Sequence, residues 1–521
     1  MGPCADVRGV SSLKTSLTGV MLSVARSQLA LLVQLAFLGL QSIGLWLGTI
    51  YSSRTPDLYR NNAHNKIGWS VTWIILIQCV VGLVKLAATI GMPEIKQEEH
   101  TTDFLPMSAE ALTQHGETQA YRYSDDSGHF TASDSSRSHS ISSISGRNEE
   151  EQQRKLREYQ DAHVDGEADC TEKQGLLGNA KVRRFASRVS ARLSQQTMRL
   201  LDVVINAIDY TSLPLGFFAI VSGAVVYGGV FRGDNVFNGL AHSIKGGIFF
   251  WYGLLTLGRW MGCFAEMGWA WNVRPPVGVV SPRKARMPSA EFVESLVIFV
   301  YGASNVWLEH LAAWGSAWSA RDFEHVSISI MFFGGGLCGM LIESKRVRDC
   351  LNSTILTSPA AYGPPNTREL LMPPRTYRFS MNPVPSLMIL LLGLMMSSHH
   401  QSSAVSTMVH KQWGTLFVGF ALARAVTYIL TYISPPSSYL PSRPPSELVS
   451  SFCLISGGLI FIASNKDTVA AMEHYDLHAM FPFTITMGLT AFLMAWAMMV
   501  LAVKGWAVRR QQGSPSTSGE A

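Results

Sequence analysis

The chain has 521 residues, 47% of them hydrophobic and 15% charged, with a formal net charge of +5. A soluble chain of this length would divide into several domains with charge spread through each; here the apolar residues fall instead into blocks of membrane-crossing length, roughly 17–25 residues. The seven cysteines lie in those blocks, at the N-terminus or on one side of them, so there is no disulfide framework to read.

Taken in chain order, residues 29–51 and 67–84 carry no Asp, Glu, Lys or Arg and predict the first two spans. A long polar segment, 92–208, follows. Residues 213–231 predict a third span, with 200–212 open to being a separate interfacial helix. Residues 240–264 and 291–314 read as spans four and five that carry charge, and 326–342 as a charge-free sixth. The stretch 383–398 is apolar but short, either a seventh span or a re-entrant segment. Residues 412–434, 448–465 and 479–503 complete the set. The fold class expected is all-α: a polytopic transmembrane helix bundle of about ten spans with a long disordered cytosolic loop. A soluble core of helices apolar all round would need amphipathic helices to cover it, and the chain offers almost none. The organisation predicted is a two-span module (1–91), the polar loop (92–208), an eight-span module (209–507) and a tail (508–521).

With ten spans, both termini and the segments after spans two, four, six and eight share one side. That side holds most of the Lys and Arg outside the spans, which makes it the cytosolic face and predicts cytosolic N- and C-termini. The first apolar block starts too late and runs too long for a secretory signal peptide. Within the loop, residues 124–147 are serine-rich and poor in apolar residues, a composition that cannot offset the entropy of ordering. The loop ends in Lys181, Arg183, Arg184, Arg188, Arg192 and Arg199, with Phe185, Val189 and Leu193 at helical spacing. This is either an amphipathic helix on anionic lipid or ordinary positive charge beside span three. No nucleic-acid motif is present, so the partner expected is the lipid bilayer.

The run Thr55-Pro56-Asp57-Leu58-Tyr59, with Asn62-Ala63-His64 and Gly68-Trp69, opens a series of distinctive stretches. It continues in His242-Ser243-Ile244-Lys245-Gly246-Gly247, Glu266 to Asn272, Glu324-His325 and Gly334-Gly335-Gly336. Further on come Ser397-Ser398-His399-His400-Gln401, His410-Lys411-Gln412-Trp413-Gly414 and Pro441-Ser442-Arg443-Pro444-Pro445. Together these resemble the fungal YTP-one-like family of integral membrane proteins, over nearly the whole chain outside the loop. The resemblance implies a membrane fold. Its N-terminal module is similar to part of the cytochrome-b-type transmembrane reductases, where histidines on helices hold haem. Residues 1–18 are not similar to the histidine-bearing helix that family members usually carry there.

Nine histidines lie outside the loop: His64, His242, His310, His325, His399, His400, His410, His474 and His478. All nine fall at the expected non-cytosolic ends of spans or in outer loops. Acids accompany them: Glu309 beside His310, Asp322 and Glu324 near His325, and Glu473 and Asp476 near His474 and His478. His474 and His478, at i and i+4, predict one helix face, a spacing that suits two ligands to one metal. Imidazole with carboxylate suits zinc, iron, copper or manganese. The candidate site is therefore a transition-metal centre or a single haem, drawn from these histidines with Glu309, Asp322 and Glu324. The plain alternative is a set of solvated helix ends.

Toward the cytosolic side, Arg259, Glu266, Glu294, Glu343, Arg424 and Glu447 lie in or beside spans. Unpaired charge there is costly, so they are expected to face the bundle interior and pair, as a structural clamp or as a substrate or proton path. Gly334-Gly335-Gly336 and Gly457-Gly458 allow close helix approach. Three functions stay open. One is a membrane oxidoreductase or other electron-transfer or metal-dependent protein; another is a transporter of a metal ion or small solute. The third is a non-catalytic scaffold regulated through the loop. A closed cluster of four or more ligands would favour the first, and well-separated histidines would count against both metal readings.

Overall fold

In the computed structural model the described residues are 29–55, 58–59, 62–91, 195–233, 235–309, 317–356, 379–399, 401 and 403–512. The serine-rich loop, the basic run from Lys181 to Arg192, both termini, His310 and His400 lie outside them. The described chain forms α1 (Leu29–Arg54), α2 (Ala63–Gly91), α3 (Gln195–Gly228), α4 (Asn235–Met261), α5 (Ala290–Glu309) and α6 (Ala320–Glu343). After these come α7 (Val384–Ser398), α8 (Ala404–Ile433), α9 (Pro445–Ala463), α10 (Lys466–His474) and α11 (Met480–Gln512), with a few short helical turns between. No strand forms among the described residues.

Each of the ten expected spans is a helix, and α10 is an addition. Seven helices, α1, α2, α3, α6, α8, α9 and α11, are long and apolar enough to cross a membrane. The 27 residues of α4 and 20 of α5 reach membrane length but carry Lys245 and Arg259, and Glu291 and Glu294. The apolar α7 has 15 residues, a single unbroken helix. Residues 200–212 are not a separate interfacial helix: α3 runs through them and past Pro214 for 34 residues.

The soluble alternative fails on the surfaces of these helices. Ile43 and Trp46 on α1, Trp73 on α2, and Leu422 and Ile433 on α8 are all more than half exposed. Burying such apolar surface is worth roughly 25 cal/mol per Å², so helices presenting it outward belong in hydrocarbon. The chain is an integral membrane protein.

Two compact units are distinguished, Val80–Val203 and the remainder. In the smaller one Lys85 pairs with Asp202. In the larger, α9 packs against α4, α8 and α11, while α5 lies on α6 and α7 on α8. Two contacts set the helix spacing. A methyl group at Gly246 would lie 2.6 Å from the Gly458 carbonyl oxygen, so α4 and α9 touch backbone to backbone. One at Gly336 would lie 2.4 Å from the Phe299 nitrogen, whereas Gly334 meets nothing within 4 Å. The core between α4, α8 and α9 is aromatic, with Trp413 stacked on Phe461 at 4.2 Å and Phe249 tilted against Phe417 at 4.2 Å.

Candidate functional site

Two polar layers occupy opposite ends of the larger unit. On α4, His242 and Arg259 are 17 residues apart, about 25 Å at 1.5 Å per residue. On α8, His410 and Arg424 are separated in the same sense.

The charged layer is built from α4, α5, α8 and α9. Arg259 donates to Glu294 Oε1 and Glu291 Oε1, each at 2.7 Å, and its Nε donates to the Trp269 carbonyl at 2.7 Å. Arg424 sits 3.4 Å from Glu294 Oε2, and its Nε lies 2.8 Å from Glu447 Oε1. All five side chains are at most 5% exposed. Glu291 and Glu294 share a helix face at i and i+3. The Trp271 ring covers the layer, 4.4 Å from the Arg259 guanidinium carbon and 5.2 Å from that of Arg424. Its backbone is left-handed, φ 55°, and it is held there from both sides. Ser442 donates to the Trp271 carbonyl at 2.6 Å, and Asn272 Nδ2 donates to the carbonyls of Ala265 and Tyr439 at 2.9 and 2.8 Å. In the same loop, burial pulls the Arg274 guanidinium below its ordinary value, against the attraction of Glu291 and Glu343.

Of the six charges expected to pair inside the bundle, four do so here: Arg259, Glu294, Arg424 and Glu447. Glu266 is a correction. It lies in the loop after α4, 60% exposed, and pairs with Lys284, because the chain has already left the helix at Met261. Glu343 pairs with no arginine in the layer; it accepts from Ser289 and Ser380 at 2.6 and 2.7 Å. Sequence reasoning missed Glu291, Tyr252 and Trp271. The i, i+3 spacing of Glu291 and Glu294 was the available signal for the first.

The histidine layer surrounds the mouth of a cavity of 1680 Å³. His64, His242, His325, His399 and His410 line it, with Lys245, Glu324, Lys466 and Glu473. Its walls are aromatic and aliphatic, including Phe217, Trp251, Tyr301, Leu392 and Trp413, and it descends from Asn305, beside the histidines, to Tyr252 and Glu294. The cavity therefore joins the two layers. His242 and His410 face each other at right angles, ring centroids 6.3 Å apart. Each directs Nδ1 at the carbonyl one turn back, Asn238 and Ser406, at 2.8 Å, which turns Nε2 away from the helix. His64 bonds Ser222 at 3.1 Å between α2 and α3.

Other expected ligands have different places. Asp322 caps α6, accepting from the Ser319 nitrogen and hydroxyl at 2.8 Å. His474 and His478 do not share a helix face: α10 ends at His474, Asp476 takes a left-handed φ of 51°, and both rings are exposed. Glu309 ends α5. Among the described residues no three His, Cys, Asp or Glu side chains converge as a metal site.

Residues 215–505 match the family model described as Protein YTP1-like, C-terminal, and residues 18–88 match a domain of unknown function, DUF2427. A fission yeast (Schizosaccharomyces pombe) protein described as an uncharacterized membrane protein is 32% identical over 94% of this chain and 91% of its own length. A Saccharomyces cerevisiae protein of the same description is 36% identical over 65% of this chain and 52% of its own. Protein YTP1 of the same yeast is 22% identical over 56% of this chain and 52% of its own length. No solved structure matches.

Proposed function

We propose, for a chain that belongs to the YTP1-like family, that it binds a small amphipathic organic solute in its cavity and exchanges it with the non-cytosolic side. One observation carries this reading: a single 1680 Å³ space with apolar walls and polar groups at both ends. Apolar walls with a few converging polar groups are the usual form of a small-molecule site. The walls suit a hydrocarbon body. The imidazole, ammonium and Asn305 amide groups at the mouth, or Tyr252 below, suit a polar head. The bias of Lys and Arg toward the expected cytosolic side supports a cavity mouth on the opposite side.

A second reading rests on His242 and His410. Both rings have Nδ1 engaged by a carbonyl, the arrangement that orients Nε2 toward a metal. Two imidazoles would need the remaining ligands from solute or water, giving a transition-metal centre of the kind an oxidoreductase uses.

One preparation tests both. The full chain purified in lipid nanodiscs is extracted and its small molecules identified by mass spectrometry, alongside elemental analysis and an optical spectrum. An amphipathic molecule near one per chain, lost when Leu392→Trp and Ser406→Phe fill the cavity, is the expected result. Equal recovery from wild type and filled variants would remove the solute reading. Stoichiometric iron, copper or zinc lost in His242→Ala would favour the metal reading instead.

A further inference from the structure

The charged layer does not balance. Glu291, Glu294 and Glu447 set three negative charges against the two positive charges of Arg259 and Arg424. The other titratable groups facing Glu447 do not supply the missing one. Tyr252 on α4 and Tyr428 on α8 are neutral phenols packed beside the arginines. Arg274 and Glu343, on the loop side beside Glu291, add one charge of each sign and leave the deficit as it is, and Lys504 on α11 lies toward Cys263. An uncompensated negative charge in such an interior is costly, and the group that can shed it by taking a proton does so.

Geometry identifies that group. Glu291 and Glu294 each accept a 2.7 Å charge-assisted bond from Arg259. Glu447 is fully buried, and although Arg424 Nε is 2.8 Å away it lies off the hydrogen-bonding line. Neither Glu447 oxygen accepts a well-aligned hydrogen bond, the Thr427 hydroxyl being the neutral donor that faces it, and Ser450 Oγ, one turn along α9, is also buried without a partner. Arg424 itself is loosely held, its hydrogen bonds to Glu294 and Thr256 running 3.4–3.5 Å. Access runs as far as Glu294 and Tyr252 on the cavity floor; Arg424, which does not itself relay a proton, stands between Glu294 and Glu447, so water must pass the guanidinium to reach the acid.

We propose that Glu447 carries an exchangeable proton, making the buried Arg–Glu layer a proton-binding site at the foot of the cavity. The proton comes from water in the cavity and converts the Glu447 carboxylate to the acid, leaving two carboxylates opposite two guanidiniums. This stands whether or not the cavity takes a solute, and its test needs none. Infrared spectra of the full chain in nanodiscs at neutral pH should give a carboxylic-acid C=O band that moves to lower frequency in D2O. The band should be absent from E447Q and displaced in E447D. Glu447→Gln keeps the side-chain shape and balances the charges, so it is expected to fold; E447D reports on the same group if it does not. A wild type without such a band, a band that ignores D2O, or one kept in full by E447Q and undisplaced in E447D overturns the proposal.

Discussion

Each of the three Arg259 guanidinium nitrogens donates to an acceptor, two carboxylates and one carbonyl. Its replacement by Met would strand Glu291 and Glu294 in a dry interior. Breaking a buried pair from one side costs about 3–5 kcal/mol, so Arg259→Met should sharply lower the thermal unfolding temperature in detergent. Glu447→Gln should leave it near the wild-type value, because it replaces a protonated, uncharged acid with a neutral amide of the same shape. A similar loss in both variants would mean that the layer acts only as a clamp. That arginines and acids pair inside the bundle was legible from their cost in hydrocarbon. Which acids do so was not, since Glu266 and Glu343 sit as close to span ends in sequence as Glu447 does. A turn out of the helix, or a pair of serines, decides their fate. The histidines divide in the same way. Periodicity suggests His474 and His478 as partners, yet a left-handed Asp476 ends the helix between them, while His242 and His410 meet from distant parts of the chain with no signal in spacing.

Among the elements, the long helices could be read directly because freedom from charge over membrane length has few other causes. The charge-bearing α4 and α5 were also legible. What hid was α10, nine residues with the polar sequence Lys466 to His474, started by the Asn465 side chain accepting from the Thr468 nitrogen at 2.9 Å. A short amphipathic helix looks like a loop unless its cap is noticed. Helix spacing gives a test at this scale. At Gly458 a methyl would meet the Gly246 carbonyl oxygen at 2.6 Å, whereas at Gly488 nothing lies within 4 Å. Gly458→Ala should therefore cost about 1–3 kcal/mol through overpacking, and Gly488→Ala should be neutral or slightly stabilising through its better helix propensity. Comparing their unfolding midpoints checks the α4–α9 contact; equal midpoints would contradict it.

For the whole molecule, orientation is the property that turns two layers into a direction. Tyr475, near the cavity mouth in sequence, and Leu440, in the loop that holds Trp271, are 71% and 75% exposed. In a background stripped of native cysteines, Leu440→Cys should react with a membrane-impermeant maleimide on sealed, cytosol-side-out microsomes. Tyr475→Cys should react only after the vesicles are opened. The reverse pattern would invert the reading of loop charge.

The cover that Trp271 lays over both arginines has an electrical consequence. Were water to fill the cavity down to Glu294, it would carry the potential of its own side to the charged layer. In a polarised membrane the voltage would then fall mainly across the thin stratum of Trp271 and its supporting loops, not across the full hydrocarbon thickness. A charge moved through that stratum would sense about 2.3 kcal/mol per 100 mV, and the few residues that pin this indole would form the dielectric across which the protein holds the membrane field.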